Sequence, residues 1–435
     1  MLSAITRAFR TPDLRKKLLF TLGIIALFRL GSVLPTPGVN SENVAKALQQ
    51  AQAGDSGNIY GMVQLFSGGA LLKLSVFALG IMPYITASII LQLLTVVIPR
   101  LEALKKEGQA GTAKITQYTR YLTIGLAILQ STAFVALARS GQLFPNNNLP
   151  ILLNEDIFTL VTMVITMTAG TAVIMWLGEL VTDRGIGNGM SILIFTQVVA
   201  VFPSELMNIF RQSAFKFVMV MIVGIVMIAV VVFIEQAQRR VPVQYAKRMV
   251  GRRMYGGTST YIPLKVNQAG IIPVIFASSL LYLPQLLVTI FGRKENPGPI
   301  VEWLAQNLVT GDHPVYMVTF FALILFFTYF YVSITFNPVE VADNMKKYGG
   351  FIPGIRPGRP TAEYLNYVLT RLTAAGAPYL GVISLIPILA LAVVGASQNF
   401  PFGGTSILIM VGVGLDTVKQ IESQLQQRNY EGFLR

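Results

Sequence analysis

Ten long apolar runs fill most of this 435-residue chain, at 18–34, 76–98, 119–137, 157–177, 188–202, 217–234, 269–291, 315–336, 373–395 and 404–418. A helix needs about 20 apolar residues to cross a bilayer. The runs are too long for strands, and in lipid only helices and closed barrels satisfy every backbone group. The expected class is an all-α polytopic membrane protein with ten transmembrane helices, the fifth and tenth runs being the shortest. Composition agrees, because only 12% of residues are charged against about 25% in soluble domains. A charge at the bilayer centre costs roughly 2.5–3.5 kcal/mol on insertion scales.

The net charge of +14 suits either a membrane surface or nucleic acid, so the positions of the charges decide. Counted by loop, 26 of the 34 lysines and arginines lie on one side of the ten runs and 7 on the other, with Arg29 inside the first run. The richer side is the cytoplasm, which puts both termini there. The two longest basic stretches, Gln238–Gly257 and Asn344–Pro360, share that side. Before the first run, R-T-P-D-L-R-K-K followed by Leu18–Leu34 has the layout of a signal peptide. No small-x-small cleavage site follows before Pro35-Thr36-Pro37-Gly38, so the run reads as a retained first span.

The interior holds little chemistry. The chain has no cysteine and one histidine, His313, beside Pro314 in a polar loop. Disulfides, thiol catalysis and zinc–thiolate or iron–sulfur sites are excluded, and a lone loop histidine is more often a surface residue than a ligand. GxxxxGK[ST] and HExxH are absent. No cofactor or metal is called for, and the chain does not read as an enzyme. The central turns of the ten runs lack acids, lysine and histidine; Glu179, Glu235 and Asp416 sit toward run ends, where side chains reach the interface. Ion-coupled transporters keep an ionisable group near the midplane. A scaffold or passive conduit remains, with an inverted-repeat secondary transporter for a small solute as the alternative.

Run 2 contains Gly80-Ile-Met-Pro-Tyr-Ile-Thr-Ala-Ser88 and run 7 contains Gly270-Ile-Ile-Pro-Val-Ile-Phe-Ala-Ser278, matching at six of nine positions. Each is the second run of a five-run half. Five is odd, so the halves would cross the membrane in opposite senses, as inverted repeats do. A match this short is as readily chance as ancestry. The halves would be 1–205 and 206–435, divided near Pro203–Phe215, the second carrying basic cytoplasmic loops at about 235–268 and 337–372.

Seven stretches, in order and at matching spacing, carry a resemblance. They are GIMPYITASIILQLLTVVIP (80–99), KEGQAGTAKITQYTRYL (106–122), WLGELVTDRGIGNGMSI (176–192), QRRVPVQYAKR (238–248), PLKVNQAGIIPVIFASS (263–279), FNPVEVADNMKKYGGFIPGIRPG (336–358) and FGGTSILI (402–409). Together they closely resemble the bacterial SecY family, the channel subunits of the Sec protein translocase. The likeness covers nearly the whole chain and is weakest at Ser140–Asp156 and Gly292–Pro314. It implies two pseudo-symmetric inverted five-helix halves around an hourglass pore with a lateral gate. Unfolded secretory polypeptides would pass through that pore in the bacterial cell membrane, and hydrophobic segments would leave sideways into the bilayer.

The resemblance also implies sites. Ile81, Ile85, Met190, Ile194, Ile275 and Ile409 would form the constriction, with Met190 standing where the family usually has isoleucine. Most isoleucines in spans simply face lipid or neighbours, and pattern alone would not select these six. A plug would lie at about 58–75, including Tyr60, Phe66, Ser67, Gly68 and Gly69; read without the family, that stretch is an external loop or interfacial turn. Thr86, Gln92, Asn267 and Leu283 would belong to the lateral gate, although polar groups there serve equally as helix–helix hydrogen-bonding partners. Arg252, Arg253 and Arg356 would dock the motor SecA or the translating ribosome, beyond what the positive-inside bias explains. The family further implies SecE and often SecG as partner subunits, and signal-bearing precursors as substrates.

Overall fold

The computed structural model describes residues 9–52, 69–139, 150–245, 248–250, 253–255, 259–291, 298–309, 313–394 and 404–432. Each apolar run coincides with a helix. Run 1 is α1 (Pro12–Val33), and α2 (Ser41–Gln52) follows outside the runs. Run 2 gives α3 (Met82–Val97), and α4 (Pro99–Lys106) then turns 99° away from it. Runs 3 to 6 give α5 (Gln109–Arg139), α6 (Ile157–Arg184), α7 (Gly189–Gln212) and α8 (Ala214–Gln236). Run 7 is α9 (Ile272–Phe291), followed by the short α10 (Pro299–Leu304) and a π-turn at Ala305–Val309. Run 8 is α11 (Pro314–Thr335), α12 (Pro338–Lys347) follows it, and runs 9 and 10 give α13 (Arg359–Val394) and α14 (Gly404–Gly432). By length and apolarity alone, six helices qualify as spans among the described residues, or seven if α3 and α4 count as one. The first helix carries Asp13, Arg15, Lys16, Lys17 and Arg29, and charge of that density dilutes a hydropathy window although the helix is long enough to cross.

Local chemistry sets the helix starts. Asn188 caps α7 by accepting from the Met190 N–H at 3.0 Å, and Asn337 caps α12 by accepting from Val339 N–H at 3.2 Å; an N-cap oxygen satisfies a donor the helix leaves orphaned. His313, which looked like an idle surface residue, caps α11 through Nδ1, accepting from the Val315 N–H at 3.3 Å. The expected break at Pro203–Phe215 is narrower than the sequence implied. Helix α7 continues through Pro203 to Gln212, and Ser213 alone (φ −163°, ψ 125°) separates it from α8. Proline inside a span is tolerated where neighbouring groups re-satisfy the freed backbone.

A small antiparallel sheet on the basic side is an addition to the helical plan. Strand β1 (Gln238–Tyr245) leaves α8 directly; β2 (Arg248–Val250) and β3 (Arg253–Tyr255) form an outer ribbon, and β4 (Ser259–Lys265) returns toward α9. β1 pairs with β4 from Gln238↔Lys265 to Gln244↔Ser259. Strand β5 (Gly350–Phe351), from the other basic loop, pairs with the far edge of β1 at Gln244↔Phe351 and Tyr245↔Gly350. The alternating side chains of Val241 and Val243 bury against Leu264, Met345, Ile352, Leu365 and Val368. The two basic loops therefore share one apolar core. At 1.5 Å per residue the 36-residue α13 is about 54 Å long, against a hydrocarbon layer of about 30 Å; its first turns belong to this core and the rest reaches the membrane-spanning bundle.

Candidate functional site

The two nonapeptides that match in sequence also match in backbone. Gly80 (φ +56°) and Gly270 (φ +64°) both adopt the left-handed conformation, and a helix starts two residues later in each case. Amides of Tyr84 and Ile85 bond to the Ile81 carbonyl, both at 3.1 Å; those of Val274 and Ile275 bond to the Ile271 carbonyl at 3.1 and 3.3 Å. A shared glycine hinge and a shared first turn are more than chance similarity of two apolar helices supplies. The correspondence pairs Ile85 with Ile275, and Ile81 with Ile271. Ile271 is not among the six constriction candidates. It is 8% exposed, and its Cγ2 lies 2.6 Å from where a β-carbon on Gly412 would stand.

Helices α3 and α9 pack directly against each other, as do α7 and α14. Ile85, Ile194, Ile275 and Ile409 of those four helices, with Ile81 at the N-cap of α3, are all buried in the extended apolar core that runs through the bundle from Ile24 to Val413. Met190 is half-buried at the edge of that cluster. Its Sδ sits 2.6 Å from where a β-carbon on Gly178 of α6 would be, so it leans on α6.

Between α1 and α3 the backbone is held by a dense set of turns. Leu74, in the left-handed region at φ +48° and fully buried, accepts from both the Thr36 N–H (3.0 Å) and the Thr36 Oγ1 hydroxyl (2.7 Å). The Val76 N–H donates to Leu34 O at 2.9 Å. Of the plug candidates, Gly69 (φ +80°) opens this stretch. Tyr60, Phe66, Ser67 and Gly68 lie outside the described residues.

The gate candidates occupy different positions. Thr86 is buried on α3 and donates to the Met82 carbonyl of its own helix at 3.0 Å. Gln92, further along α3, is half-buried, and Leu283 lies on α9 with its side chain outside the described residues. Asn267 is not on α9 at all. It sits in the turn between β4 and α9, 2% exposed, donating Nδ2 to the Glu235 carboxylate on α8 and to the Gly270 carbonyl at 3.0 Å. Glu235 is only 7% exposed, so this acid at a run end is covered by protein. By contrast Glu179 takes a bidentate contact from Arg120, at 2.9 and 2.7 Å, between α6 and α5.

Of the docking candidates, Arg356 is exposed in the turn after Ile352, where Gly354 (φ +82°) and Gly358 (φ +103°) set the backbone. Its carbonyl accepts from the Thr361 hydroxyl at 2.9 Å. Arg253 opens β3 with its side chain outside the described residues, as is the whole of Arg252. Arg240 of β1, not singled out in the sequence, stacks its guanidinium 4.8 Å over the Tyr261 ring of β4.

The family described as "SecY" matches residues 75–418. The chain is 68% identical over its whole length to the protein translocase subunit SecY of Streptomyces galbus, and 60% identical to that of Mycobacterium bovis, with each relative also covered in full. Among solved structures, "The structure of a protein conducting channel" superposes with a TM-score of 0.63 at 19% identity, covering 94% of this chain and 91% of that one. The Sec61 chain of a canine ribosome–channel complex gives 0.61 at 18% identity with the same coverage. At those identities the structural likeness carries the fold alone; the sequence relatives carry the rest, and the chain belongs to the bacterial SecY family of protein translocase subunits.

Proposed function

We propose that this multi-pass membrane protein is the protein-conducting channel of a Sec translocase, passing unfolded secretory polypeptides outward and releasing hydrophobic segments laterally into the bilayer. The observation that carries the reading is the burial of all five isoleucines in the bundle's shared apolar core, on packed helix pairs α3–α9 and α7–α14, in a chain of this family. A collar of aliphatic side chains expels water when empty, which resists ions, and yields to a passing chain. The alternative of a solute transporter has no support from the family. The channel does no covalent chemistry; ATP-driven SecA or the translating ribosome supplies the work.

The halves 1–205 and 206–435 hinge about the collar, and the seam between α3 and α9, at Thr86, Gln92, Leu283 and, in the turn before α9, Asn267, opens toward lipid. A guest segment of a dozen leucine-like residues gains roughly 6 kcal/mol in the bilayer at about 0.5 kcal/mol each. That is enough to bias a gate whose closed state is favoured by a few kcal/mol. The stretch 58–75 plugs the pore from outside. SecE clamps the halves, SecG joins them, and the basic loops carrying Arg252, Arg253 and Arg356 face the cytoplasm to receive SecA or the ribosome. Both termini are cytoplasmic and the membrane is the bacterial cell membrane. The deciding experiment is import of a secretory precursor into vesicles holding this chain, SecE, SecA and ATP. Precursor protected from protease inside the vesicles supports the reading; no protection, beside uptake of a small solute by the chain alone, overturns it.

A further inference from the structure

The hairpin β1/β4 is rooted in the membrane bundle at a buried polar contact. Its last paired rung is Gln238↔Lys265; next the Val266 N–H donates to the Ala237 carbonyl at 3.0 Å; next Asn267 donates to Glu235. One leg of the hairpin continues from α8 and the other runs into α9, the helix that packs on α3. Asn267 also holds the carbonyl of Gly270, the left-handed residue from which α9 starts. Around the contact stand the Lys265–Asp416 pair at 3.4 Å, Lys419 on α14 and Tyr379 on α13. Among the described residues, the Tyr379 hydroxyl and the Asn267 Oδ1 are buried and find no hydrogen-bond partner. The root is thus tight on the Nδ2 side and under-satisfied elsewhere. In such a place a single bond decides between two arrangements, because loss of one partner strands the other.

We propose that Glu235 is a positioning residue for the gate: through Asn267 it fastens the start of α9 to the end of α8 and so sets the balance between closed and open seam. This rests on the reading of α3 and α9 as the seam. The contact lies within the second half, beside the seam and not across it; it favours the closed seam by being stronger there than when α9 tilts away from α3, and its removal then favours opening. Motion of the cytoplasmic hairpin reaches α9 through the same contact.

The test uses the assembled channel complex in lipid, with cysteines introduced at Thr86 and Leu283. The chain has no native cysteine, so a pair of spin labels reports the seam distance alone. Glu235→Leu is expected to raise the resting open-to-closed ratio about tenfold, equivalent to about 1.4 kcal/mol. Asn267→Ala should do the same, and the double variant no more than either. Glu235→Gln keeps an oxygen acceptor and should stay within about twofold of the parent. A resting distance distribution unchanged in Glu235→Leu, or additive effects in the double variant, overturns the proposal. Should Glu235→Leu fail to assemble, Asn267→Ala, which removes the donor from the other side, decides the question by itself. If precursor binding leaves the seam distance of the parent unmoved, the seam reading itself has failed. If precursor binding widens the parent seam while the variants rest like the parent, the proposal about Glu235 alone falls.

Discussion

The proposed seal rests on single side chains. Ile81 and Ile409 are each 1% exposed, so an asparagine at either place puts an amide into an apolar collar. Replacing Ile409 by asparagine should raise the resting ion conductance of channel-bearing vesicles several-fold while precursor still passes. An unmoved conductance would remove Ile409 from the constriction. The same change strands a polar group in the closed state, at a cost of about 1–3 kcal/mol, so a lower Tm of the purified complex should accompany it. At this scale the sequence was least legible by itself. The spans hold many isoleucines and nothing in their spacing singles out these, so family likeness had to choose them. Glu235 shows the converse. Its position near a run end read as solvent-reachable, yet the root of the hairpin covers it, and no linear pattern encodes a contact across 32 residues.

Among the elements, the two glycine-hinged helix starts can be probed alike. A β-carbon on Gly270 would meet nothing within 4 Å, so Gly270→Ala tests conformation without collision. Alanine at φ +64° should cost on the order of 1 kcal/mol, read as a fall of a few degrees in the Tm of the complex. Deleting residues 60–72 should leave the channel assembled but leaky to ions at rest, and a tight resting channel would dismiss the plug. Helices were legible because their apolar runs are long. Their ends were less so: the run at 188–202 stops at a proline that the helix passes through. The sheet was missed although β1 carries a period-two signal in Val241-Pro242-Val243. That signal is short and holds a proline, and β5 is two residues long, below what any periodicity can register.

The whole molecule makes demands that no element meets alone. Cysteines at Thr86 and Leu283, joined by a crosslinker across the α3–α9 seam, should stop precursor export in proportion to the fraction joined; full export with complete joining would rule out seam opening. Arg356→Glu should abolish SecA-driven export without loss of assembled complex, since Arg356 is exposed and its carbonyl, not its guanidinium, makes the local hydrogen bond to Thr361. Normal export would move the docking site elsewhere. The strand Gly350–Phe351 has its own consequence. Surface connections ordinarily accept an extra residue with little harm, but here the link from α12 to β5 is fixed in length. One residue inserted after Lys347 would slide β5 along β1 and turn Phe351 to the opposite face. Gly349 would then stand in the place of Gly350 and Gly350 in that of Phe351, so the rung opposite Gln244 would lose its side chain. Natural variation in the size of this region should therefore collect at the outer ribbon, away from α12.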